Sequence, residues 1–307
     1  MKVLITGGAG FIGSHIAEEL LAHNYEIIVV DNLKSGKIEN LPGKMKLYNM
    51  DINDREMQYV FELEQPHIVI HLAAQTSVVA SMEDPLADFQ ANTATTVKLL
   101  HLSKMNGVKK FIFASSAAVY GEPFILPVDE NHTINPQSFY AVSKYAAENY
   151  IRSYEELYGL ESCILRFSNV YGSRQQAGGE GGVVSTFISR MLRDEGVCIY
   201  GGSQTRDFIY VKDVAIACRK SLEPGLKGFF NISSNTETTI KELFMVIADK
   251  TLSSTKPQFK SLRPAEIVRS VLNNEKARSE LMWNVSYPLS IGLDETISYY
   301  STLLNYR

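Results

Sequence analysis

Tyr140-Ala141-Val142-Ser143-Lys144 sets a phenol and an ammonium four residues apart, within a stretch from Phe139 to Tyr158 whose apolar spacing predicts one long helix. An i, i+4 pair on a helix lies on one face, a turn apart. A cation so placed favours the ionised phenol, which makes Tyr140 a candidate general base. Taken alone, the same spacing also describes an amphipathic helix with an exposed lysine. Lys110-Phe111-Ile112-Phe113-Ala114 reads as a strand running into Ser115-Ser116. A strand-end hydroxyl such as that of Ser116 can bond a substrate oxygen and relay its proton, whereas Ser115 reads as capping of the strand end.

What such a base would act with is written at the N-terminus. Val3-Leu4-Ile5 is a β-branched run, Thr6-Gly7-Gly8-Ala9-Gly10-Phe11-Ile12-Gly13 a glycine-dense turn, and Ser14 to His23 has helical apolar spacing. Ile27-Ile28-Val29-Val30 then forms a second apolar run closed by Asp31. Strand, tight turn, helix and strand within about 30 residues are the setting a dinucleotide fingerprint requires. Gly8, Gly10 and Gly13 satisfy G-x-G-x-x-G, and Gly7, Gly10 and Gly13 give a second reading. Glycine is needed because a Cβ would hold the pyrophosphate away from the N–H groups at the helix start. Asp31, 18 residues after Gly13, can accept both ribose hydroxyls of NAD and would repel a 2′-phosphate. A bound cationic nicotinamide would add to Lys144 in lowering the Tyr140 pKa.

The elements that must position these groups follow from the same patterning. Lys46-Leu47-Tyr48 leads to Asp51-Ile52; Asp54 is placed to cap a helix ending before Pro66; His67 to Leu72 is a buried-type strand running into Ala73-Ala74-Gln75. A long helix is expected over 86–106, carrying Asn92, and further strands at 162–167, 197–200, 208–211 and 229–232. Helices are expected at 183–193, 213–221, 240–250, 274–282 and 289–304, and Gly178-Gly179-Glu180-Gly181-Gly182 as a flexible loop with the character of a lid. Alternating strands and helices imply a doubly wound, Rossmann-type parallel α/β sheet with ligands beyond the carboxyl ends of its strands. Gly7, Asp31, Asp51, Ala73 and Ser116 then share one rim. A smaller C-terminal α/β substrate lobe should close over it: residues 1–168 with about 207–232 as the NAD-binding domain, 169–206 and 233–307 as the lobe.

Composition narrows the function classes. The 307 residues carry a net charge of −4, which argues against nucleic acid or an anionic membrane as partner. No apolar run approaches the ~20 residues of a membrane span, and the N-terminal apolar stretch is broken by glycines and leads into Glu18-Glu19, unlike a signal peptide. Cys163, Cys198 and Cys218 are odd in number and lie in apolar surroundings, as reduced thiols of a cytoplasmic protein do; no metal site is expected.

In order along the chain stand T-G-G-A-G-F-I-G, D-N-L, H-L-A-A-Q, S-S-A-A-V-Y-G, Y-A-V-S-K, L-R-F-S-N-V-Y-G and T-R-D-F-I-Y-V-K-D-V. The chain resembles the extended short-chain dehydrogenase/reductases over nearly its whole length, and among them the UDP-sugar 4-epimerases. The resemblance implies Tyr140 as base, Ser116 as hydroxyl relay and Lys144 on the nicotinamide ribose. It implies NAD contacts from Gly7, Gly10, Phe11, Ile12 and Gly13, from Asp31, Asn32, Ser35 and Gly36, and from Asp51 and Ile52. Leu72, Ala73, Ala74, Asn92, Ser115 and Phe167 complete that set. For the nucleotide-sugar it implies Ser116, Asn169, Val184, Tyr200 stacked on uracil, Arg206 on the pyrophosphate, Arg263 on a phosphate, and Glu266 on the uridine ribose. A forked guanidinium suits a pyrophosphate. Relatives of this kind pair as homodimers through two long helices, here 86–106 and 139–158.

Relatives that dehydrate or decarboxylate carry an acid between the Ser/Thr and V-Y-G, where this chain has Ala117-Ala118. Eliminating water needs a further acid or base, so what remains is reversible redox at a carbinol. The expected reaction is C4 epimerisation of UDP-glucose/UDP-galactose through a 4-keto sugar. Ser270 stands where relatives carry either a bulky aromatic or a small residue, which adds tolerance of UDP-GlcNAc/UDP-GalNAc; Thr76 replaces a phosphate-binding lysine of some relatives. The alternatives are a UDP-glucuronate 4-epimerase, another nucleotide-sugar oxidoreductase, or an NAD-binding scaffold or sensor.

Overall fold

A computed structural model describes residues 1–43, 45–177, 182–261 and 267–304. The N-terminal apolar run forms β1 (Lys2–Thr6), followed by α1 (Phe11–Ala22), β2 (Glu26–Asp31), β3 (Lys46–Asn49), α2 (Met57–Glu64) and β4 (Ile68–His71). Three short helices, α3 (Val78–Glu83), α4 (Pro85–Phe89) and α5 (Thr95–Met105), precede β5 (Lys110–Ser116), α6 (Phe139–Tyr158) and β6 (Glu161–Phe167). The remainder runs β7 (Asn169–Tyr171), α7 (Val183–Met191), β8 (Val197–Tyr200), β9 (Thr205–Tyr210), α8 (Val211–Lys220) and β10 (Gly228–Ile232). It closes with β11 (Glu237–Thr239), α9 (Ile240–Thr251), β12 (Pro257–Lys260), α10 (Glu275–Glu280) and α11 (Leu289–Leu303).

Seven strands form one parallel sheet in the order β10-β6-β5-β4-β1-β2-β3. Side chains alternate across a strand, so β1 sends Val3 and Ile5 into the layer shared with Ile16, Leu20 and Val214, and Leu4 into the opposite layer with Phe61, Leu99 and Ile151. Both faces are therefore covered, as a parallel sheet requires. The strand order reverses between β1 and β4, the place where such sheets open a ligand crevice. A second sheet, β11-β9-β7, and the pair β12-β8 build the smaller lobe with α7, α9 and α11.

The structure redraws three expected boundaries. The rod over 86–106 is interrupted by a π-helical turn at Gln90–Ala94. Asp54 does not cap α2, whose N-cap is Glu56; its carboxylate accepts from the Asp51 N–H at 2.9 Å instead. The lobe does not take all of 233–307 either. Ala277, Leu281 and the fully buried Trp283 pack under the main sheet, with the Trp283 indole donating to the Asp213 carbonyl at 3.0 Å, while β9 leaves that sheet for the small one. Contact with β10 and the Asp213 hydrogen bond outweigh position in the chain.

Candidate active site

Each glycine of the N-terminal turn has its own reason to be glycine. Gly7 has φ +71°, and a Cβ there would come within 2.7 Å of the Ala73 nitrogen. A Cβ on Gly13 would collide with the Gly7 carbonyl oxygen, the close packing that brings α1 onto the turn. Gly10 is the N-cap of α1, which has neither a side-chain cap nor an acid in its first turn. The Phe11, Ile12 and Gly13 N–H groups are thereby left for an anion. The donor set fits the pyrophosphate of NAD.

Asp31 braces this turn as well as closing β2. Its carboxylate accepts from the Ala9 N–H at 2.9 Å and the Leu33 N–H at 2.8 Å. Gly36 passes so close that a Cβ would lie 2.9 Å from Asp31 Oδ1. Asn32 Nδ2 donates to Asp51 at 2.9 Å; the Asn53 N–H, more than any other group, holds the Asp51 carboxyl below its usual range. Ile52 is buried beside them, and Ser35 offers its carbonyl to Gln176 across the lobe boundary at 3.1 Å.

At the carboxyl end of β5, Ser116 caps a short 3-10 turn, its Oγ accepting from the Ala118 N–H at 3.2 Å, and its hydroxyl acts to lower the pKa of the Tyr140 phenol. Tyr140 and Lys144 lie one turn apart on α6, as their spacing requires. Lys144 is buried, its Nζ donating 3.0 Å to the Ala114 carbonyl and lying 4.8 Å above the Phe113 ring and 6.0 Å from that of Tyr140. Burial pulls the Lys144 pKa down to about 8, opposed by Asp88 and Glu148. Burial also pushes the Tyr140 phenol up to about 12, against the hydrogen bond from Ser116. The expected shift toward neutrality rests on Lys144 together with a cationic nicotinamide; in the free protein desolvation of the phenol opposes it.

Leu72 and Ala73 both donate to the Thr6 carbonyl at 3.1 Å, which turns the chain into the Ala74-Gln75 loop. Asn92, expected at the coenzyme, is 2% exposed and braces that loop. Its Oδ1 accepts from the Gln75 N–H at 2.9 Å, and its Nδ2 donates to the Gln75 carbonyl at 3.0 Å and to Asp88 Oδ1 and Ser143 Oγ, each at 3.1 Å. The π turn delivers Asn92 to that position. Ser115 points to the other side of the strand, donating to Glu148 at 2.6 Å within a buried cluster with Arg166. Phe167, at the end of β6, is 6% exposed.

On the lobe side, Asn169 is exposed at the start of β7, and Tyr200 ends β8 with the Lys260 ammonium 5.6 Å from its ring. Arg206, on β9, donates at 2.8 Å to the Ile267 carbonyl, which aims the guanidinium near the Ser270 segment. The Val184 side chain is in the lobe core, 1% exposed. Arg263 and Glu266 lie outside the described residues, as do 178–181 of the glycine loop.

Three buried polar groups have partners that their sequence positions do not show. His71 bridges Thr6 and Thr96 at 2.7 and 3.1 Å, its pKa lowered by burial to about 3, so it is neutral. Asp207 accepts from Ser234, Asn235 and Leu272, tying β9 to the chain after β10; burial raises its carboxyl to about 6. Asp88, on α4, is buried as well. His71 falls within H-L-A-A-Q and Asp207 within T-R-D-F, but their hydrogen-bond partners, like those of Asp88, are set only by the fold.

Comparison with known proteins agrees with this geometry. The family model described as "NAD dependent epimerase/dehydratase family" matches residues 3–233. A protein of Methanocaldococcus jannaschii named putative UDP-glucose 4-epimerase is 42% identical over 299 residues, 97% of each chain. The crystal structure of Thermotoga maritima UDP-glucose 4-epimerase with UDP-glucose matches at TM-score 0.97 and 41% identity, covering 99% of this chain and 100% of that one. That of the Thermus thermophilus UDP-glucose 4-epimerase in complex with NAD matches at TM-score 0.93 and 38% identity, covering 98% and 99%.

Proposed function

The chain belongs to the NAD-dependent epimerase/dehydratase family, and from that membership we propose that it is an NAD-dependent UDP-sugar 4-epimerase acting through Ser116, Tyr140 and Lys144. One observation carries the choice of reaction. The Ser116 hydroxyl at the end of β5 is followed by Ala117-Ala118, with no acid where a dehydratase or decarboxylase would need one. When bound, NAD supplies the acceptor and donor of the hydride at C4.

The protein's own groups move the proton and hold the sugar. The Tyr140 oxygen takes the proton of the C4 hydroxyl, directly or through Ser116 Oγ, and returns it after the sugar has presented its other face. Lys144 holds the nicotinamide ribose and keeps a positive charge beside the phenol. Asn169, Tyr200 and Arg206 grip the nucleotide end, with Arg263 and Glu266 completing that grip, so the hexose can swing while the UDP stays anchored. The test is direct: purified protein given UDP-galactose without added cofactor should form UDP-glucose, and Tyr140→Phe should bind UDP-sugar and turn nothing over.

The small Ser270 side chain supports acceptance of a 2-N-acetyl group. UDP-GalNAc should therefore be epimerised alongside UDP-galactose in an NMR time course, and conversion of UDP-galactose alone would defeat that tolerance. Val79, Met82, Leu86 and Phe89 on α3 and α4, and Phe139, Val142 and Leu157 on α6, are exposed apolar side chains that suit contact with a second copy of this chain. A homodimer through these helices is proposed, to be checked by sedimentation. No helix among the described residues is long and apolar enough to cross a membrane; the buried thiols Cys163 and Cys218 suit a reducing, cytoplasmic setting.

A further inference from the structure

We propose that Asp88 is a positioning residue for the reaction, a buried counter-charge that fixes the Lys144 ammonium beside Tyr140. The inference rests on the epimerase reading for its kinetic consequences. Asp88, on α4, is 1% exposed. Its Oδ1 accepts from Gln75 Nε2 at 2.9 Å and Asn92 Nδ2 at 3.1 Å. Its Oδ2 is buried with no hydrogen-bond partner among the described residues. A carboxylate left half-satisfied in a low-dielectric interior acts on its surroundings mainly through its charge.

The charges around Lys144 show where that effect falls. On its own helix, Glu148 is matched by Arg166 at 2.7 Å, and Tyr140 is a neutral phenol in the free protein. From β4 comes only the neutral His71, and from β5 the Ala114 carbonyl and the Phe113 ring. Asp88 is the remaining acid; no cation pairs with it among the described residues. Its charge supports protonation of both Lys144 and Tyr140. Mechanical linkage runs the same way, since Asn92 Nδ2 joins Asp88 Oδ1 to Ser143 Oγ, next to Lys144 on α6.

Asp88→Asn keeps the shape and removes the charge. Both limbs of the pH–rate profile should then move to lower pH by about one unit, the order expected for a unit charge in the same pocket. The expected kcat is about tenfold lower, part of what acid–base positioning supplies, with KM nearly unchanged, and Asp88→Glu should restore both limbs. A second readout needs no turnover. The Lys144 pKa, about 8, is below the ordinary lysine value, so this group adds stability as pH rises from the folded toward the unfolded value. Without the Asp88 charge that interval opens at lower pH, and the Tm deficit of Asp88→Asn relative to wild type should shrink as pH rises through neutrality toward about 8. If the wild type turned over no UDP-sugar, the function would fall while the melting series still decided the counter-charge. Unmoved limbs with a pH-independent Tm deficit would overturn the proposal and leave Asp88 a purely structural brace.

Discussion

Lys144 Nζ donates a 3.0 Å hydrogen bond to the carbonyl of Ala114, which binds the helix bearing the phenol to the strand that ends at Ser116. Because burial pulls this lysine down to about 8, its charge is present at neutrality and is lost as pH rises through that value. Turnover should therefore fall on an alkaline limb near pH 8. Lys144→Arg, whose guanidinium stays charged, should lack that limb even at reduced kcat. A limb unchanged in the arginine variant would assign it to another group.

Tyr140 behaves differently with and without coenzyme. In the free protein burial raises it to about 12, so tyrosinate should be absent at neutral pH. Added NAD should make a tyrosinate ultraviolet difference signal appear at lower pH, and Tyr140→Phe should remove that signal. The same variant should lose roughly 10²–10⁴-fold in kcat, the usual worth of a positioned acid–base group, while binding NAD normally.

The glycine turn tolerates no side chain where α1 meets it. Gly13→Ala places a methyl against the Gly7 carbonyl. The expected cost is about 1–3 kcal/mol of stability, as for other overpacked sites, together with loss of NAD affinity in a fluorescence titration. Gly43→Ala, which meets nothing within 4 Å, is the matched control and should bind NAD like the wild type.

Glu148 supports the site from behind, pairing with Arg166 at 2.7 Å and accepting from Ser115 at 2.6 Å. Removing one partner of such a pair strands the other charge, so Glu148→Gln should cost about 3–5 kcal/mol in denaturant unfolding. A loss below about 1 kcal/mol, the range of exposed pairs, would mean that Arg166 finds another acceptor.

Much of this was legible in the residues themselves, for identifiable reasons. The helix bearing Tyr140 and Lys144 and the strand at 197–200 match the expected bounds, because hydrophobic period and Ser138 capping agree there. The rim of strand ends followed from alternation alone. What stayed hidden depended on tertiary contact. Three- and four-residue strands such as β7, β11 and β12 have too little pattern to announce a sheet. The π turn that buries Asn92 conforms to the helical period around it, and Asp88 looks like an ordinary surface acid until Gln75 and Asn92 are folded onto it. Val184 has the composition of a pocket wall but faces the lobe core, since the next turn of α7 brings Phe187 and Ile188 into the same cluster.

The central claim is that a single carbon of the sugar gives up a hydride and regains it on the opposite face inside one closed site. UDP-galactose carrying deuterium at C4, incubated with the purified protein and no added cofactor, should yield UDP-glucose with the deuterium still at C4. Exchange of that deuterium into solvent during turnover would contradict the account.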